Sequence, residues 1–88
     1  EEEKLQIARN HLIQKQLKLH GMKPTELIIP DETILELIRY YTKEAGVRAL
    51  EREIGALARK VLTIILKDKK LKSVTINPSD LEEYLGVK

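Results

Sequence analysis

Between Val47 and Ile65 the apolar residues recur every three or four positions: Val47, Leu50, Ile54, Leu57, Ala58, Val61 and Ile65. At about 100° per residue they line one stripe over roughly five helical turns. A strand period of two would scatter the same residues over both faces of a sheet, so the chain must hold one long amphipathic helix. That helix needs an apolar layer to cover its stripe. Leu62 and Leu66 broaden the stripe near its end. The material for the covering layer is narrow: the sequence has three Tyr, no Phe, no Trp and no Cys. The core therefore rests on Leu, Ile, Val and Ala, without disulfides or thiolate metal sites, a composition that suits a reducing compartment. With 88 residues there is room for one small domain, residues 1–88.

The covering elements follow from the same periodicity. Leu5, Ala8, Leu12 and Leu19 cluster on one face of a first helix over residues 2–20, with Ile13 and Leu17 widening the stripe. The Glu1–Glu3 run suits the helix start and Gly21 its stop. Leu27 to Ile29, between Pro24 and Pro30, reads as a brief strand. Asp31 is the expected N-cap of a second helix carrying Ile34, Leu35, Ile38, Tyr41 and Ala45 up to Gly46, with Leu37 at the stripe's edge. After the long helix and the solvated turn KDKKLKS, Val74 and Ile76 alternate as a half-buried strand does. Asn77 then caps a last helix, Pro78 takes its first position and Gly86 stops it. The expected fold is mainly α, a small four-helix bundle in the order helix, strand, helix, helix, strand, helix. Pairing of its two short strands ties the ends together. The chain opens without methionine and already in a helical pattern, which reads as a segment of a longer protein.

Much chemistry is excluded. There is no phosphate-loop, HExxH or GxSxG motif and no spacing that joins a nucleophile to a base. His11 and His20 fall about 180° apart on the first helix and cannot share a metal within it. No apolar run is long enough for a transmembrane helix. Sixteen basic residues against 14 acidic ones give a charge of +2, too small to indicate a nucleic-acid partner by itself.

Three features remain. Arg48 stands where the long helix begins, although a cation there opposes the helix dipole. It is either an ordinary surface residue paired with Glu44 or Glu51, or one wall of an anion site, since a helix start and a guanidinium both offer donors to phosphate. Ile7 falls about 130° from the centre of its helix's apolar stripe, on the polar side. It is a single exposed aliphatic or a contact to something outside the chain. Finally, helix, glycine turn and helix over residues 31–68 share the outline of a helix-turn-helix DNA reader, with Arg52, Arg59 and Lys60 as candidate DNA contacts. Glu51 and Glu53 beside them oppose that reading, as does the scarcity of base-reading Asn or Gln.

The segment LIRYYTKEAGVRALEREI resembles one that marks Lon proteases, EEEKLQIARNHLIQKQL resembles the opening helix of the same subdomain, and INPSDLEEYLGVK its closing helix. The resemblance covers the whole chain. It implies the small α-helical lid subdomain of an AAA+ ATPase module, in an ATP-dependent serine protease whose Ser–Lys pair lies outside these residues. Arg48 matches the sensor-two arginine near the terminal phosphates of ATP, and Val47 and Ile7 match positions near the adenine. The resemblance also implies ATP with Mg held mainly by a large AAA+ subdomain, a peptidase domain in the same chain, a homo-hexamer, and protein substrates. The implied location is the bacterial cytoplasm, or the mitochondrial matrix for an organellar member. One departure is Gln14, where the family often has a proline; glutamine lets the first helix continue.

Overall fold

The computed structural model describes residues 2–42, 47–68 and 70–86. Helix α1 covers residues 2–19. It is α-helical over Glu2–Ile7, π-helical over Ala8–Leu12 and α-helical again over Ile13–Leu19. Strand β1 is Leu27–Ile28. Helix α2 covers residues 31–41, with an α-helical part Asp31–Glu36 and a π-helical part Leu37–Tyr41. The long helix α3 is Arg48–Lys67, strand β2 is Val74–Thr75, and α4 joins a 3-10 turn Pro78–Asp80 to Leu81–Leu85. The expected order of elements holds, and so does the pairing of the strands. β1 and β2 lie parallel with Leu27 opposite Val74 and Ile28 opposite Thr75.

The stripe of α3 is the centre of the core. Leu50, Ile54, Leu57, Ala58 and Val61 are fully buried there, against Ala8, Leu12 and Leu17 of α1, Ile34 and Leu37 of α2, and Ile76 and Leu81. Removing each of the Leu, Ile and Val side chains from water is worth about 1.5–3 kcal/mol, so this layer supplies most of the drive to fold.

Helix punctuation behaves as the residue types require. Gly21 adopts φ 67°, and Met22 N–H donates to Leu17 O at 2.8 Å while Gly21 N–H donates to Lys18 O at 3.1 Å. This is a Schellman stop, with Met22 and Leu17 both buried. At α4, Pro78 takes the first position and the Asp80 carboxylate accepts the Asn77 N–H at 2.9 Å. Gly86 then ends the helix at φ 90°.

Five expectations need correction. Leu19 is 68% exposed rather than part of the α1 stripe. The π turn at Ala8–Leu12 adds a residue to one turn, so the face rotates away from Leu19, while Ile13 and Leu17 are buried as expected. Asp31 is the first residue of α2 and not its cap; Pro30 is the cap, extended at φ −62°, and its carbonyl accepts from Thr33 and Ile34. Leu37 lies in the centre of the core, fully buried, and α2 ends at Tyr41, with Thr42 extended. Leu66 is 69% exposed. The expected helix stop at Gly46 lies outside the described residues. Through Gln14 the helix does continue, with the side chain exposed.

Candidate functional site

Arg48 is the first residue of α3, and its side chain is exposed. Val47 before it has φ −105° and ψ 0°, and its half-buried side chain packs on the core. The anchoring of Val47 fixes where α3 starts and hence where the Arg48 guanidinium emerges. Among the described residues Arg48 has no ion-pair partner. Glu51, the acid in the first turn of α3, is engaged elsewhere. Its Oε2 accepts Lys15 Nζ of α1 at 2.8 Å and Gln16 Nε2 at 3.4 Å. The hydrogen bond from the Lys15 ammonium holds the Glu51 carboxyl below its ordinary value of 4.5, with desolvation opposing it and the charge of Lys15 and the Gln16 amide adding to it.

α1 and α3 leave an open groove of about 450 Å³ between them, with Lys15, Gln16 and His20 on one wall and Arg48, Glu51, Arg52 and Arg59 on the other. Four cationic side chains face one carboxylate, and that carboxylate is already paired. The groove can therefore hold an anion but offers no set of ligands for a divalent cation. Among the described residues no group of three or more His, Asp or Glu is placed to hold a metal ion. His20 has a local role: its Nδ1 donates to Gln16 O at 2.8 Å, since the carbonyl can only accept, and this fixes the tautomer at the end of α1.

The groove brings Arg48 together with Arg52 and Arg59. Lys60 is turned to the other side, where its ammonium donates to Tyr84 O of α4. Val47 and Ile7 do not line the groove; Ile7 lies on α1 at 36% exposure, away from the apolar stripe. Sequence reasoning missed Lys15, Gln16 and His20, whose polar type carries no hydrophobic signal. One signal was there to use: Gly55, a glycine inside the longest helix. A Cβ at Gly55 would come 2.8 Å from Gln16 Oε1, so the glycine leaves the space into which the Gln16 amide reaches.

Comparison with known proteins places this geometry in a family. Residues 18–74 match the model of the Lon protease AAA+ ATPase lid domain. The whole chain is 60% identical to part of the Lon protease of Rickettsia bellii, and 99% of it is 55% identical to part of that of Vibrio parahaemolyticus. It spans only 11% of the length of either relative. Among solved structures, the SSD domain of Bacillus subtilis Lon protease superimposes with a TM-score of 0.74 at 44% identity, covering 99% of this chain and 90% of that one. This small helical unit with its parallel strand pair belongs to the Lon protease AAA+ ATPase lid domain family.

Proposed function

We propose that this chain is the nucleotide-sensing lid of an ATP-dependent Lon-type protease, and that Arg48 is its sensor. The observation that carries the reading is the Arg48 guanidinium: exposed at the start of α3, without an ion-pair partner among the described residues, and beside a groove rich in cations. A terminal phosphate of ATP would supply the anion that this arrangement lacks. Val47 and Ile7 are proposed to pack near the adenine. Bound ATP, with Mg held mainly by the large AAA+ subdomain, gives Arg48 a phosphate partner, and hydrolysis removes it. The lid then reorients as a rigid body, since its core is closed and its strands tie both ends. In a homo-hexamer that motion would drive unfolding of protein substrates toward the peptidase domain, in the bacterial cytoplasm.

The DNA-contact reading of Arg52, Arg59 and Lys60 gains no support from this arrangement, because Lys60 faces α4 and Glu51 sits in the groove with the other two. The direct test is Arg48→Ala in the full-length enzyme. ATP hydrolysis should fall by about tenfold to a hundredfold, the loss expected for one charge-assisted phosphate contact. Wild-type hydrolysis together with wild-type ATP-driven proteolysis would remove the assignment.

A further inference from the structure

On the nucleotide-sensing reading, a guanidinium is useful only if no carboxylate of the same helix neutralises it. Arg48 and Glu51 are three residues apart on α3, a spacing at which acidic and basic side chains meet on a helix surface. Yet the Glu51 carboxylate is held from the other helix, by Lys15 Nζ at 2.8 Å and Gln16 Nε2 at 3.4 Å. We propose that Lys15 is a positioning residue for Arg48: it holds Glu51 on α1 and so keeps the Arg48 guanidinium available to nucleotide phosphate.

Two further observations point the same way. Gly55, one turn beyond Glu51, leaves the space in which the Gln16 amide approaches α3, so the reach of α1 across the groove is built into both helices. Lys15 is 61% exposed in its ion pair, and an ion pair this open adds little to stability. What the pair does change is which charge faces the groove.

Steady-state ATP hydrolysis by the full-length enzyme tests this, with KM and kcat separated. Lys15→Met should raise KM for ATP about two- to fivefold, the scale of a surface ion pair formed between Glu51 and Arg48, with a smaller effect on kcat. Glu51→Gln should lower KM, and the double variant Lys15→Met with Glu51→Gln should bring KM back to the wild-type value or below. A bridge that only fastens α1 to α3 gives the opposite sign: Glu51→Gln then raises KM as Lys15→Met does, the double variant stays high, and the proposal is overturned. Arg48→Ala separates the two levels. Wild-type hydrolysis in that variant defeats the nucleotide reading and this proposal together, whereas an impaired Arg48→Ala beside an unchanged Lys15→Met defeats only the role of Lys15.

Discussion

At the strand pair buried polar groups find partners within the chain, while at the start of α3 the Arg48 guanidinium forms no ion pair with any described residue. Beside β1 and β2, the buried Thr33 hydroxyl donates to Ile76 O at 2.7 Å, and Ile76 N–H donates to Ile28 O at 2.9 Å. Arg9 reaches from the π turn of α1 to Ile29 O at 2.7 Å and to Asp31 Oδ1 at 2.5 Å. These groups are matched within the domain, and the fold closes on itself. In the groove, Lys15, Arg48, Arg52 and Arg59 surround the single Glu51 carboxylate, which is held from α1 by Lys15 and Gln16. Two arginines thus have different fates. Arg9 is a fastener inside the domain, and Arg48 forms no ion pair with any described residue. The first region explains why the unit holds its shape; the second is where we propose that it senses nucleotide.

The contrast predicts large stability losses at the strand pair and small ones in the groove. Ile76→Ala should cost the most, about 2–5 kcal/mol by chemical denaturation, because a fully buried aliphatic is lost while the backbone bonds remain. Thr33→Val should follow at about 1–3 kcal/mol, since the buried Ile76 carbonyl loses its side-chain donor. If Thr33→Val unfolds with the wild-type midpoint, the strand-pair region is not held by matched polar groups. In the groove the effect is smaller and depends on pH. Because the Glu51 carboxyl is held below 4.5, the Lys15–Glu51 pair contributes fully above that value and its contribution fades as pH falls through the depressed one. The amount should stay below about 1 kcal/mol, since Lys15 is largely in water. An NMR titration should find the Glu51 midpoint moving up toward 4.5 in Lys15→Met; an unmoved midpoint would mean that another group holds the carboxylate.

What was legible in the sequence was what local chemistry decides. The α3 stripe, the Gly21 and Gly86 stops, and the Asn77–Pro78 start each depend on residues a turn or less away. Arg48 was legible for the same reason, as a cation at the wrong end of a helix. The misses came from tertiary geometry. A wheel drawn at the α-helical period cannot show the π turns at Ala8–Leu12 and Leu37–Tyr41, so it placed Leu19 inside and Leu37 at the edge. Asp31 looked like a cap because its type suits one, but Arg9, distant in sequence, takes its carboxylate. The rest of the groove was hidden because Lys15 and Gln16 matter only through the approach of α1 to α3 beside Gly55.

The contrast between fastener and sensor reduces to one paired measurement on Arg48→Ala: thermal unfolding of the variant domain, and ATP hydrolysis by the full-length enzyme carrying the same change. The account predicts an unfolding midpoint close to wild type, because the exposed Arg48 pairs with no described residue, together with hydrolysis reduced at least about tenfold. A destabilised domain with undiminished hydrolysis would contradict it, since Arg48 would then be serving the fold, as Arg9 does, and not the nucleotide.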